Sequence, residues 1–296
     1  MKVPGFSNLR FSQLPCSELH RVSYLLKQPC RNPHSTALGV HATDTGKRLL
    51  AAAYCVNHRK DSTVSRFHWT VIPRLQRTAV PSLFMEYLSR QLSLVGSTTA
   101  RTSRMFTEGS WQMDALRHAN FEPASSNHYY ISPRSETTAL TDRLLSWVAS
   151  SKKTSSFSVQ KLRLAMVKKL SPIAAVDGLL TPREITNGVC SGKYSQHSFV
   201  ASVDPKGYIG YLIAHSAGDR AVVDALAVQP PYRGFDSLVA PFLIDYFLRS
   251  LKPEVKSIVW RTNPDLNPAM AKMATKAASK LLCTQHSMCR ELQPMN

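Results

Sequence analysis

The chain has 296 residues, with 37 lysines and arginines against 19 aspartates and glutamates, which gives a formal net charge of +18. Its hydrophobic content of 43% is enough to fill two ordinary cores. No apolar run reaches the roughly 18 residues that a membrane-spanning helix needs, and residues 1–28 lack the apolar stretch of a signal peptide. We therefore predict a cytoplasmic protein that does not associate with membranes.

The six cysteines are scattered without a C-x-x-C pair, and the ten histidines form no H-E-x-x-H or comparable cluster. We predict reduced cysteines and no metal site. The positive charge attracts polyanions such as nucleic acid, CoA and acidic proteins, and salt weakens that attraction. It is spread along the chain without a run of five like charges, so a nucleic-acid partner is left open.

The first half predicts alternating strands and helices. A strand over 9–14 and a helix over 16–27 precede a hairpin, a strand closed by Pro73 and an amphipathic helix with apolar residues at helical spacing. A strand, a helix beginning near Ser110 and a final strand follow. The predicted strands after the first helix are 37–43, 49–56, 67–72, 101–106 and 128–132. A helix over 141–149 and a serine-rich linker over 150–158 end this half.

The second half repeats this order. A hairpin of strands 196–203 and 208–215 turns at Asp204-Pro205-Lys206-Gly207, and a strand over 221–228 leads into a Pro-Pro-Tyr-Arg-Gly loop. An amphipathic helix, a strand over 256–262, a helix beginning near Asn267 and a final strand over 286–292 follow. An offset of 157 residues places Pro73 on Pro230. We therefore predict domains 1–140 and 161–296, joined by a helix and linker over 141–160.

A strand that turns abruptly into a helix directs backbone N–H groups and partial positive charge at the turn, which suits a phosphate. In the second half this turn lies near Arg233 and Gly234. The segment resembles the acyl-CoA loop of the GNAT superfamily of N-acetyltransferases, since Val228, Pro230, Arg233 and Gly234 match its pattern. Asp236 and Leu238 replace later glycines, and Asp236 either opposes a diphosphate or caps the helix.

The resemblance implies an α/β fold, with a mixed α+β sheet in each of two tandem GNAT-like acyl-CoA N-acyltransferase domains. It implies an activity that moves an acetyl or other acyl group from acyl-CoA to an amine on a small molecule or protein. Acetyl-CoA is then the co-substrate. The residues that would bind it by this resemblance are Leu226, Ala227, Val228, Arg233, Gly234, Phe235, Asp236 and Ser237.

Members of that family often carry a glutamate base on the same strand, and Asp224 stands in a similar position. Apolar neighbours at Val222, Val223 and Leu226 predict a partly desolvated carboxylate with a raised pKa. In the alternative interpretation, Asp224 points to solvent or pairs with an arginine or lysine. His68 is the candidate base of the first half. The family's thiolate-protonating tyrosine has no counterpart in the last helix of either half.

The second half is favoured as the working copy, because the first loop has no glycine and Pro81 removes a backbone donor, although Arg74 and Arg77 supply charge. Two other functions remain open. The first is an inactive tandem protein whose basic surface binds nucleic acid or a protein partner. The second is a transferase that uses aminoacyl-tRNA as its donor.

Overall fold

The computed structural model describes residues 9–30, 35–42, 48–57, 63–150, 157–177, 179–203, 207–232, 239–276 and 279–293. The chain divides into two compact units. Unit 1 comprises residues 1–125 and 285–296, and unit 2 comprises residues 126–284. Among the described residues, no helix is both long and apolar enough to cross a membrane.

Unit 1 is built on a mixed sheet. Its strands are β1 (Leu9–Leu14), β2 (Ser35–Ala42), β3 (Leu49–Asn57), β4 (Val64–Val71), β5 (Thr99–Thr102) and the short β6 (Phe106–Thr107). Its helices are α1 (Leu19–Leu26), α2 (Val80–Leu94) and α3 (Trp111–His118). Strands β1 to β4 are antiparallel neighbours, and β4 pairs with β5 in parallel. One core lies between the sheet and α2 and α3, and a smaller core lies under α1.

Unit 2 repeats the plan. Its strands are β7 (Glu122–Pro133), β8 (Ser158–Lys161), β9 (Phe199–Val203), β10 (Gly207–Ala217), β11 (Arg220–Val228), β12 (Ser257–Thr262) and β13 (Lys280–Glu291). Its helices are α4 (Arg134–Ser150), α5 (Leu164–Val167), α6 (Ser171–Asp177), α7 (Pro182–Cys190), α8 (Val239–Ser250) and α9 (Pro268–Lys276). Only residues 126–133 of β7 and 280–284 of β13 belong to this unit.

The sheet of unit 2 is covered on both faces. β8, β9, β10 and β11 are antiparallel neighbours, and β11 pairs with β12 in parallel. Leu226, Phe247 and Trp260 belong to the core on the α8 and α9 face, while Tyr194 and Ala227 belong to the core on the α5 to α7 face. Residues 225–228 of β11 alternate between the two cores, as the two-residue period of a strand requires.

The final strands of the two halves are exchanged. β7 follows the first half in sequence, but its residues His128–Pro133 pair antiparallel with β12 of unit 2. Residues Cys289–Glu291 of β13 pair antiparallel with β5 of unit 1. The predicted final strands, 128–132 and 286–292, are therefore present in the sheet of the other half. The compact units accordingly divide the chain differently from the predicted domains 1–140 and 161–296.

The repeat in the sequence is visible in the strand registers. The parallel pairing of Val64–Phe67 with Thr99–Thr102 in unit 1 corresponds to Arg220–Val223 with Ser257–Trp260 in unit 2. β4 and β11 each run into a turn that begins with a proline, Pro73 after β4 and Pro230 after β11. The predicted order of strand, turn, helix, strand, helix and strand is confirmed in both halves.

The segment from residue 161 to residue 195 had no predicted elements, yet it forms α5 to α7. These helices are short, so their apolar periodicity is weak. One signal was present. Thr181 and Glu184 form a capping box around the start of α7, with Pro182 at its first position.

Candidate functional site

The parallel ladder between β11 and β12 ends early. The last paired residues are Val223 and Trp260, although β11 continues to Val228 and β12 to Thr262. Beyond this point the side-chain Nδ2 of Asn267 donates to the backbone oxygen of Leu226 over 3.2 Å. Asn267 Oδ1 accepts from the Met270 N–H over 3.2 Å at the start of α9. The sheet of unit 2 thus parts immediately after Val223.

Asp224 is the extra residue of a β-bulge at this point. Ile213 of β10 lies opposite Ala225 and Ala214 lies opposite Val223, which leaves Asp224 without a register partner in β10. Bulges interrupt the ladder, re-aim side chains and are frequent beside active sites. The bulge also accounts for the repeat offset, which is one residue larger at Pro230 than at Arg220–Val223.

Three side chains converge on one oxygen of the Asp224 carboxylate. Lys193 Nζ and Tyr194 Oη donate to Oδ2 over 3.0 Å and 2.8 Å, and His215 Nδ1 lies 3.1 Å from the same atom. Lys193 Nζ also donates to Tyr194 Oη over 3.1 Å. We call these four residues the Asp224 cluster. It lies on the face of the sheet that carries α5 to α7, because Tyr194 belongs to the core on that face.

The predicted rise in the pKa of Asp224 is wrong. Burial alone would raise that pKa, since only 11% of the side chain is exposed, but contacts with His215, Lys193 and Tyr194 outweigh it. The pKa of Asp224 is lowered to about 2. The contact with Lys193 is the pairing with a basic residue that the sequence left open. Burial and the neighbouring Asp224 raise the pKa of Tyr194.

Arg261 of β12 and Tyr129 of β7 interact electrostatically with the cluster, and Asn127 of β7 holds Arg261. Arg261 Nε and Nη2 donate to the side-chain oxygen of Asn127 over 3.0 Å and 2.8 Å, with the Asn127 amide oriented to accept them. Burial raises the pKa of Tyr129, and the charges of Arg261 and Asp224 act on it in opposite directions. Cationic and phenolic groups therefore surround one buried carboxylate at the point where the β11 and β12 ladder ends.

The residues predicted to bind acyl-CoA fall into two groups. Leu226, Ala227 and Val228 form the end of β11 and are at most 8% exposed. Arg233, Gly234, Phe235, Asp236 and Ser237 lie outside the described residues. The question of whether Asp236 caps the next helix therefore stays open. Among the described residues, no group of three or more histidines, cysteines and carboxylates is arranged to hold a metal ion.

The corresponding place in unit 1 is different. His68 directly follows Phe67, the last residue of β4 that pairs with β5. Burial and the charge of Arg104 lower the pKa of His68 to about 4. β4 has no bulge at this position, since its register with β3 is unbroken from Val71 to Ser65.

Aromatic side chains fill the region beyond the last β4 and β5 pair. The Trp69 ring packs edge-on against Trp111, with centroids 5.2 Å apart, and against Phe106 at 6.3 Å. The loop before α2 uses its own donors, because the N–H groups of four of its residues bond within it. These residues are Leu75, Gln76, Thr78 and Val80.

Sequence reasoning missed Lys193, Tyr194 and His215. His215 carried a signal, because it is a polar residue in register with the buried Tyr211 and Ile213 of the same strand. Lys193 and Tyr194 lie just after α7, in the segment without predicted elements, so nothing local in the sequence pointed from them to Asp224.

No protein-family model and no curated protein sequence matches the chain. Solved structures do. A tandem GNAT protein from the clavulanic acid biosynthesis pathway superposes with a TM-score of 0.60 at 14% identity, covering 98% of this chain and 100% of its own. The chain has the tandem GNAT fold. The predicted mixed α/β architecture with two GNAT-like copies is thereby confirmed.

Two other structures share the GNAT fold with this chain. A probable N-acyltransferase from Enterococcus faecalis has a TM-score of 0.61 at 10% identity and covers 97% of this chain and 73% of its own. A GCN5-related N-acetyltransferase from Sphaerobacter thermophilus has a TM-score of 0.53 at 10% identity and covers 97% of each chain. At these identities the likeness concerns the fold, and the site must be argued from its own residues.

Proposed function

We propose that this chain is an N-acyltransferase that moves an acetyl or other acyl group from acyl-CoA to an amine, with unit 2 as the working copy. The observation that carries the proposal is the opening between β11 and β12, which begins at the bulged Asp224. A crevice where neighbouring strands part, at their carboxyl ends, is a usual ligand site in α/β sheets.

The donor would bind along the end of β11. Backbone groups of Leu226, Ala227 and Val228 would hold the pantetheine arm and the thioester carbonyl, as the GNAT resemblance implies. The start of a helix favours binding of a diphosphate. The predicted diphosphate-binding residues stand in the sequence between that strand and α8; they are Arg233, Gly234, Phe235, Asp236 and Ser237. Hydrogen bonds to a carbonyl that becomes negative in the transition state are a large source of rate enhancement.

The acceptor would approach on the α5 to α7 face, where the Asp224 cluster lies. A buried carboxylate beside an opening can fix an incoming ammonium or a proton-accepting neighbour. The cluster connects β11 to the segment after α7, so the acyl donor and the amine acceptor would meet at Asp224. This arrangement supports transfer to an amine, since the reaction needs a proton acceptor next to the thioester.

Unit 1 is proposed as the inactive copy. Its loop consumes four N–H groups in its own turns, and Trp69, Phe106 and Trp111 pack together where unit 2 opens. A diphosphate would have to break those turns, and a pantetheine arm would have to displace packed rings. Its proposed role is to complete the tandem fold.

One observation favours a second function. The net charge of +18, together with the missing tyrosine acid, suits a protein whose basic surface binds nucleic acid or an acidic protein, or a transferase with an aminoacyl-tRNA donor. These alternatives share salt-sensitive binding of polyanions, whereas the GNAT proposal requires acyl-CoA binding at a defined loop.

Thermal unfolding with acetyl-CoA tests the proposal. Acetyl-CoA at 100 times its dissociation constant should add about 2.7 kcal/mol to the free energy of unfolding. Arg233→Ala should remove most of this stabilisation, and Arg74→Ala, the matched change in the unit 1 loop, should preserve it. If acetyl-CoA leaves the melting temperature unchanged while tRNA raises it in a salt-sensitive way, the acyltransferase proposal is wrong.

A further inference from the structure

We propose that His215 accepts the proton from the acceptor amine and that Asp224 is the positioning residue that orients it. This inference rests on the proposed acyltransferase function and changes the role of Asp224 within it. Asp224 then serves as an acceptor for the imidazole rather than as the base.

The geometry places the two side chains next to each other. His215 lies in β10 opposite Val222, one step from the bulge, and its Nδ1 is 3.1 Å from Asp224 Oδ2. Nδ1 is buried and lies close to this carboxylate oxygen without the alignment of a hydrogen bond, while the His215 side chain as a whole keeps 20% of its surface exposed. One ring nitrogen is thus within ion-pair distance of the carboxylate, and part of the side chain is exposed, as a group that exchanges protons with a substrate requires.

Asp224 itself is a poor proton acceptor. Its Oδ2 receives donors from Lys193 and Tyr194 in addition to the approach of His215. A carboxylate stabilised in this way has little affinity for a proton at neutral pH. The same property makes it a good partner for an imidazole, since it stays charged and holds the Nδ1–H tautomer, which leaves Nε2 able to take a proton.

Charged and titratable groups from several elements set the field at His215. Asp224 on β11 supplies a negative charge there, and Lys193 after α7 and Arg261 on β12 supply positive charges. Tyr194 lies beside the ring, with centroids 6.1 Å apart. Glu184 of α7 and Tyr129 of β7 act from further away, as their electrostatic effects within the cluster show.

His215 Nε2 takes one proton from the acceptor ammonium, and the free amine attacks the thioester carbonyl. The new C–N bond forms, the C–S bond breaks, and the electron pair of that bond leaves with the CoA sulfur. The amide nitrogen loses its second proton, which passes through water to the thiolate. His215 finally returns the first proton to solvent.

The tautomer of His215 is the first test, and it needs no acceptor. Nitrogen-15 NMR of histidine-labelled protein, assigned by loss of the signal in His215→Gln, should show the neutral ring protonated at Nδ1. Asp224→Asn should move the population toward the Nε2–H tautomer. His197 provides a control in the same spectra, because its Nδ1 contacts Ser250 Oγ at 2.9 Å and should not respond. An Nε2–H tautomer of His215 in the wild-type protein overturns the proposal.

Turnover provides the second test, with acetyl-CoA as donor and benzylamine as the acceptor probe. We expect His215→Gln to lower kcat by about 10²–10⁴-fold, the usual contribution of a general base. The stabilisation of that variant by acetyl-CoA should match the wild-type protein, and His197→Gln should keep wild-type turnover.

The outcomes separate the two proposals. Wild-type protein that acetyl-CoA does not stabilise refutes the proposed function. Protein that acetyl-CoA does stabilise, but in which His215→Gln retains full turnover or His215 is protonated at Nε2, refutes the assignment of His215 alone.

Discussion

Strands β4 and β11 occupy equivalent positions in the two units, and β11 contains one inserted residue. β4 keeps an unbroken register with β3, whereas β11 has the bulge at Asp224. Past the last parallel pair, unit 1 packs tryptophan rings together, and unit 2 presents a carboxylate that accepts from two side chains and lies 3.1 Å from a histidine nitrogen. The comparison shows that one inserted residue can separate a packed strand end from a polar opening within one fold.

The helices that follow these strands also end in different ways. α2 ends near Gly96, whose φ of +84° suits glycine, and the Ser97 N–H returns to the Leu92 oxygen over 3.0 Å. At the end of α8, Arg134 donates from its guanidinium to the Leu248 oxygen over 3.2 Å and the Lys252 oxygen over 2.8 Å. Both devices satisfy the last carbonyls of a helix, so the shared fold does not require shared residues.

The largest expected effect tests the exchange of final strands. Met288 on β13 is fully buried in the unit 1 core, so Met288→Ala should lower the free energy of unfolding by about 2–5 kcal/mol. Leu282→Ala on the same strand is the control, because Leu282 is 49% exposed and should cost little. Denaturant melts measure both, and hydrogen exchange should locate the Met288 effect in β4 and β5. Equal, small effects would contradict the placement of β13 in the unit 1 core.

Acid should destabilise unit 1 at a higher pH than unit 2. The pKa of His68 is lowered to about 4, so between pH 6.5 and 4 the unfolded chain binds a proton that folded unit 1 does not. Unit 1 should lose about 1–3 kcal/mol of stability over that range, allowing for the partial exposure of His68. The lowered pKa of Asp224 acts later, since its stabilisation is lost as the pH falls from about 4 toward 2.

Hydrogen exchange across the pH series should therefore show β4 losing protection before β11 does. His68→Gln should remove the step between pH 6.5 and 4 and preserve the one below pH 4. Simultaneous loss of protection in both strands would show that neither group controls its own unit.

The smallest expected effect is the difference in stability lost when each of two buried tryptophans is replaced. Trp260 Nε1 donates to Ser132 Oγ over 2.9 Å, whereas Trp69 Nε1 has no partner among the described residues. Both tryptophan-to-phenylalanine changes lose ring volume, but Trp260→Phe also loses a hydrogen bond while Trp69→Phe removes an unsatisfied donor. Trp260→Phe should cost about 1–2 kcal/mol more in a chemical melt. A larger cost at Trp69 would contradict this assignment of hydrogen bonds.

Local signals gave much of the fold. Proline and glycine turns, strand alternation and helical periodicity placed β4, α2, β11 and α8, because these features act over a few residues. The exchange of β7 and β13 could not be predicted, since either final strand has a pattern compatible with either sheet. Strand pairing between distant segments depends on tertiary packing, which periodicity does not encode.

The site was predicted in part for the same reason. The position of Asp224 within a buried strand follows from its neighbours, and so does its burial. Its lowered pKa depends on Lys193 and Tyr194, which reach it from a segment about 30 residues earlier. A desolvation argument without those partners gives the wrong direction. Polar clusters assembled from distant segments are where sequence reasoning loses its accuracy.

The origin of the strand that completes unit 1 has a consequence for biosynthesis. Ser287 of β13 contacts Arg101 of β5 across a sequence separation of 186 residues. A ribosome therefore makes nearly all of unit 2 while β5 still exposes an unpaired edge, the kind of surface that recruits stray strands. Nascent chains should depend on a chaperone, or on slow translation, during that interval.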